Sequence, residues 1–271
     1  MYFGFKDVTI KYGKNLVVED VNIDFPKGKT TTIIGSNGCG KSSLLKTIPR
    51  VVVPEKGEVL FCHKSIRKYN PKELAKRIAY LPQVHQSPSD IDVRTLISYG
   101  RYPHKKFAGG LTEKDRAVIE ETIEITGLKH LSNRILTTLS GGERQRAWIA
   151  MIICQQPEIL VLDEPITYLD IGYQLEVMEL IKSLGERLNI TIVMVLHDIN
   201  LAARYSHHLI SIENHHVQMQ DSPRSMMNEE HLNKIFRIGA QVYEDEKNNC
   251  PFIIPERADN EVHKALKYKK Y

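Results

Sequence analysis

Two short stretches of the chain carry groups able to handle a nucleoside triphosphate. The first, Gly35-Ser36-Asn37-Gly38-Cys39-Gly40-Lys41-Ser42, fits G-x-x-x-x-G-K-[ST] at every specified position. Glycines at this spacing let the backbone curl until several N–H groups point at one phosphate. Lys41 adds a point charge for the β- and γ-phosphates, and the Ser42 hydroxyl can ligate Mg²⁺. The second stretch, Asp163-Glu164-Pro165, closes an apolar run. Asp163 is a candidate carboxylate for the same Mg²⁺, directly or through water. Glu164 is a candidate base that orients and deprotonates a water for in-line attack on the γ-phosphorus. Alone, an Asp-Glu-Pro turn reads as a polar strand exit; with the phosphate loop present, the catalytic reading prevails.

These groups need a frame that brings residues far apart in sequence to one edge. Three near-continuous apolar runs, Thr31–Gly35, Ile159–Asp163 and Thr191–His197, suit strands buried on both faces of a parallel sheet. Leu175, Met178, Ile181 and Leu184 fall at helical spacing before the third run. Strands alternating with helices predict a doubly wound α/β core, with ligands at the carboxyl ends of the strands. The first twenty-five residues and Gly57–Phe61 alternate as β-formers and predict a smaller antiparallel sheet. From about Ser87 to Thr138 the pattern is helical: Val93, Leu96 and Ile97 share a face, and Thr112 to Asp115 predicts a capping box whose helix Gly127 can close. One domain over residues 1–255 and a loose basic tail over 256–271 are expected.

Composition limits the alternatives. A chain of 271 residues can bury a sizeable core without disulfides, and its four cysteines show no C-x-x-C spacing. The longest apolar runs fall well short of the roughly 20 residues that span a bilayer, and the first residues do not read as a secretory signal. A cytoplasmic location is expected. The net charge of +4 is mild and spread out, which argues against nucleic acid as a partner.

Leu139-Ser140-Gly141-Gly142-Glu143-Arg144-Gln145-Arg146, upstream of Asp163, resembles the signature motif of the ABC transporter ATPase family. The resemblance implies a P-loop NTPase (RecA-like) core with a flanking antiparallel β subdomain and an inserted α-helical subdomain. It further implies ATP hydrolysis with Mg²⁺, and a head-to-tail dimer in which Ser140, Gly141 and Gly142 of one copy complete the ATP site of the other. By the same resemblance Tyr12 matches the aromatic that stacks on adenine, and Gln83 the glutamine that touches Mg²⁺ and links the site to the membrane partner. Asp170 matches the loop aspartate at the dimer interface, and His197 the switch histidine on the γ-phosphate. Ser36, Asn37, Cys39 and Ser43 fall within the phosphate-binding segment. Departures from the family pattern are Ile166, where Thr or Ser is usual, with Glu143 and Ser43 in place of the frequent Gln and Thr.

Gly100-Arg101-Tyr102-Pro103-His104 resembles a segment of the ATPases of ferric-siderophore, haem and cobalamin importers. This branch implies integral permease subunits, an extracellular binding protein acting indirectly, and a site at the cytoplasmic face of the membrane. The plainer reading of those residues is a helix-ending turn with exposed polar side chains. His207-His208 and His215-His216 read as exposed surface rather than a metal site. Neither the long coiled-coil insertions of chromosome-acting relatives nor the duplicated motifs of translation factors are present, and no Asn-Lys-x-Asp guanine reader is found.

Overall fold

The computed structural model describes residues 1–83, 89–105 and 109–258. Its strands are β1 (Phe3–Tyr12), β2 (Asn15–Asp24), β3 (Thr30–Ile34), β4 (Lys56–Phe61), β5 (Lys64–Ser65), β6 (Ile78–Leu81), β7 (Ile159–Asp163), β8 (Thr191–Val195), β9 (His208–Glu213), β10 (His216–Asp221), β11 (Ile238–Asp245) and β12 (Cys250–Ala258). Its α-helices are α1 (Lys41–Leu45), α2 (Pro71–Ala75), α3 (Val93–Tyr99), α4 (Glu113–Ile125), α5 (Gly141–Cys154), α6 (Ile171–Leu188), α7 (Ile199–Tyr205), α8 (Pro223–Met226) and α9 (Glu229–Phe236).

The central sheet runs β10-β9-β3-β8-β7-β6, parallel except for β10. Alternation explains the apolar runs. Ile159, Val161, Val193 and Val195 face one core cluster, while Leu160, Leu162, Ile192 and Met194 face another. Each side chain of β7 and β8 is buried whichever way it points. The first cluster is shared with the antiparallel sheet β2-β1-β4-β5, whose Phe3, Phe5 and Phe61 are fully buried and pack ring against ring, two of them on Phe25 just past β2. Register sets the strand ends level: Ile33 of β3 and Asp163 of β7 both pair with Val195 of β8. Whatever follows these strands therefore meets at one edge.

The inserted helices enclose their own core, with Val93, Leu96 and Ile97 against Val118, Ile119 and Ala147. The expected capping box at Thr112 and Asp115 is formed, and Gly127 sits at φ 69 beyond the helix. Ser87, where this insertion was expected to open, lies outside the described residues. Gly100 caps α3 and Tyr102 is exposed, as the helix-ending turn predicts, but Arg101 faces inward. It is 3% exposed, pairs with Asp115 at 2.9 Å, and donates to Cys154 O and Gln156 Oε1. His104 Nε2 lies 2.9 Å from Gln155 O. These polar groups close the insertion onto the end of α5 instead of facing water. At the other end of the chain, β11 and β12 form a two-stranded sheet on α7 and α9. Strand β12 continues to Ala258, past the start expected for the tail, and residues 259–271 lie outside the described ones.

Candidate active site

The phosphate loop is shaped by what stands behind it. Gly35 has φ 147, and a Cβ there would lie 2.1 Å from the carbonyl oxygen of Ile212 in β9; Gly40, at φ 101, would meet Val17 and Val18 at 2.8 Å. Larger residues would push the loop off its two supports. Lys41 is buried, and its Nζ donates to Gly35 O at 2.9 Å and Ser36 O at 2.8 Å. The ammonium thus ties the loop into a ring with its own carbonyls. Helix α1 starts at Lys41, directly after the last glycine of the loop.

Asp163 ends β7 with its carboxylate buried. Ser42 Oγ donates to Oδ1 at 2.8 Å and Tyr80 OH to Oδ2 at 3.2 Å. Burial pushes the carboxyl above its ordinary range, the two hydrogen bonds oppose this, and the neighbouring charge of Glu164 adds to the rise. A hydroxyl and a carboxylate side by side are hard oxygen donors of the kind Mg²⁺ takes, leaving room for phosphate and water ligands. The residues present fit that ion.

Glu164 is the first residue past the strand and sits at φ 55, a conformation rarely held by a side-chain-bearing residue without surrounding support. That support is visible. Its Oε2 accepts from Gln83 Nε2 at 2.6 Å and from Thr167 Oγ1 at 3.0 Å, and its Oε1 lies 2.6 Å from His197 Nε2. Gln83, expected at the ion, makes its hydrogen bond to Glu164. Thr167 supplies the hydroxyl on this turn, while Ile166 beside it is buried in the core. The departure at Ile166 thus leaves the turn's hydrogen bonding intact. Neither Tyr80 nor Thr167 stands out by type or spacing in the sequence; their contacts with Asp163 and Glu164 arise only in the fold.

A cavity of about 340 Å³ joins these groups, lined by Tyr12, Asn37, Gly38, Gly40, Lys41, Ser42, Ser43, Glu164 and His197 together with Val17. Tyr12, half exposed at the rim, donates through its hydroxyl to Ser43 Oγ at 3.4 Å, leaving its ring free for a flat ligand. Another cavity, of about 390 Å³, lies beside Thr30 and His207, away from this edge. Ser140, Gly141, Gly142 and Asp170 do not line the 340 Å³ cavity. Ser140 caps α5 through a capping box with Glu143, and Asp170 caps α6 through Tyr173 N at 3.1 Å. Gly142 lies against Tyr173, so both caps share one surface, flanked by exposed Tyr168 and Ile171.

The paired histidines are separated. His207 Nδ1 accepts from Thr30 N at 3.1 Å and His216 lies 3.9 Å from Glu19, at opposite ends of β9. His207 is pushed below the usual histidine range, chiefly by desolvation.

Residues 18–167 match the family model described as ABC transporter. The chain is 44% identical over 242 residues to the iron(3+)-hydroxamate import ATP-binding protein FhuC of Bacillus subtilis (strain 168), covering 89% of this chain and 90% of the relative. It is 38% identical over 250 residues to the ferric enterobactin transport ATP-binding protein FepC of Escherichia coli (strain K12), covering 92% of each. Among solved structures it is similar to a dimeric ATP-binding cassette in a post-hydrolysis state with ADP and Pi (TM-score 0.68, 27% identity, 81% of this chain and 98% of that one).

Proposed function

Since the chain belongs to the ABC transporter family as an ATP-binding subunit, we propose that its 340 Å³ cavity is the ATP site and that hydrolysis there drives uptake of a ferric siderophore. The observation that carries this reading is the meeting of Lys41, Ser42, Asp163, Glu164 and His197 beyond the level ends of β3, β7 and β8.

Tyr12 stacks on adenine. The N–H groups of Ser36 to Ser43 cradle the phosphates, and Lys41 places its charge on the β- and γ-phosphates. Ser42 and Asp163 would hold Mg²⁺, which when bound neutralises charge developing on the transferred phosphoryl group. Glu164 accepts the proton of the attacking water, its carboxylate aimed by Gln83, Thr167 and His197. His197 then contacts the γ-phosphate.

Ser140, Gly141, Gly142 and Asp170 act on the cavity of a second copy in a head-to-tail dimer. Their placement on a surface away from their own cavity supports this arrangement, as does the dimeric state of the solved relative. No helix among the described residues is long and apolar enough to cross a membrane. As an importer subunit, the dimer sits on permease subunits at the cytoplasmic face, with Gln83 linking the site to them; the import role named for the two relatives supports this. The names of the two curated relatives support a ferric siderophore as cargo.

The test is uptake of radiolabelled ferric hydroxamate by cells whose only copy is the native chain or the Glu164→Gln variant. Uptake lost in the variant alone supports the assignment. Equal uptake by both overturns the cargo and directs the search to haem or cobalamin.

A further inference from the structure

We propose that the turn between β9 and β10 is a positioning clip for the nucleotide site, in which Glu213 holds the phosphate loop and His215 holds the wall opposite. This rests on the reading of the cavity as an ATP site.

Glu213, the last residue of β9, is 8% exposed, and its Oε2 accepts from Ser36 Oγ at 2.5 Å. Ser36 is also the residue whose carbonyl accepts from Lys41. Glu213 therefore fixes, from behind, a peptide on which the buried ammonium depends. The backbone of the same strand backs Gly35 through Ile212 O.

The other prong is His215. Its Nδ1 donates to Val17 O at 3.0 Å, and its carbonyl accepts from Glu19 N at 2.8 Å. Val17 lines the cavity facing the loop. The turn thus grips both walls, and it does so in a costly conformation. Glu213 pairs with His216, and the two residues between them, Asn214 and His215, have φ 49 and 71. Glycine is the favoured second residue of such a two-residue hairpin. A histidine held there, with its ring bonded to the cavity wall, is strain kept where a side chain is needed.

A clip of this kind preorganises the site for ATP and adds no group to the reaction. It should govern affinity for ATP and leave the chemical step at Glu164 unaffected. The experiment measures Kd for ATP with Mg²⁺, kcat and Tm on the full chain. Glu213→Ala is expected to raise Kd about 10-fold with kcat at saturation changed by less than about twofold, and Glu213→Gln, which keeps an acceptor for Ser36, to restore Kd to within about twofold. Ser36→Ala combined with Glu213→Ala should bring no further loss. His215→Gly relieves the backbone strain, so it should raise Tm while raising Kd about threefold, a split that a purely structural role would not produce.

Unchanged Kd in both Glu213→Ala and His215→Gly would overturn the clip, as would additivity of the Ser36 and Glu213 substitutions. Failure of the native chain to bind ATP would sink the reading of the cavity itself, whereas native binding with unaffected variants would sink only the clip.

Discussion

Oε1 of Glu164 lies 2.6 Å from Nε2 of His197, joining the residues that follow two neighbouring parallel strands. Its other oxygen takes hydrogen bonds from Gln83 and Thr167. The carboxylate is thus oriented by groups from three places in the sequence, yet keeps contact with the cavity. A base aimed in this way should matter to turnover far more than to binding.

Replacing Glu164 with Gln keeps the shape and removes the proton acceptor. Turnover of ATP should fall by about 10²–10⁴-fold while Kd for ATP changes by no more than about threefold. Size-exclusion chromatography with ATP present should show an accumulated dimer. Turnover near the native rate would remove Glu164 from its catalytic role.

Tyr80 braces the Asp163 carboxylate from the neighbouring strand. Tyr80→Phe deletes that hydrogen bond alone, so the Mg²⁺ concentration giving half-maximal hydrolysis should rise about fivefold. Chelation of divalent ions should abolish hydrolysis in native and variant chains alike. An unshifted Mg²⁺ dependence would show that Ser42 suffices to hold the carboxylate.

At Gly142 an added Cβ would lie 2.2 Å from Cδ1 and 2.9 Å from Cβ of Tyr173. Because the clash reaches the root of the tyrosine side chain, a rotamer change cannot relieve it. Gly142→Ala should lower stability by about 1–3 kcal/mol in urea unfolding, and Tyr173→Ala in the same chain should recover part of that. Full stability in Gly142→Ala would mean that α5 and α6 slide apart without cost.

The buried Arg101–Asp115 pair gives a pH signature. Burial raises the Asp115 carboxyl, but hydrogen bonds from Thr112 and Arg101 and the guanidinium charge outweigh it and hold the group at about 2, below the ordinary aspartate range. A carboxyl depressed in the folded state stabilises above its unfolded pKa and loses that contribution as pH falls through the folded value. Asp115→Asn should therefore cost about 2 kcal/mol at pH 7. Between pH 5 and pH 3 the gap to the native chain should shrink to about half in chemical denaturation, and a gap independent of pH would deny the charge any role.

The phosphate loop and the Asp-Glu pair were legible because each role demands particular residue types at fixed short spacing. The central strands were legible because burial on both faces leaves a continuous apolar run in β7 and β8. The signature segment was legible only through its resemblance to the family; the capping box of Ser140 and Glu143 that shapes it is seen in the structure. The sheet of β11 and β12 was not legible, because its residues alternate weakly and β12 carries Pro251 and Pro255. Its partners α7 and α9 become apparent only once the chain has folded back on itself.

The sequence by itself determined which groups exist for phosphate chemistry and that parallel strands must present them, since both follow from local spacing and residue type. Only the tertiary structure decided that Gln83 and Thr167 bond Glu164, that Arg101 is buried against Asp115, and that Glu213 reaches Ser36 across 177 residues of chain. Those contacts depend on strand order and register, and no local pattern of residues encodes which distant strands become neighbours.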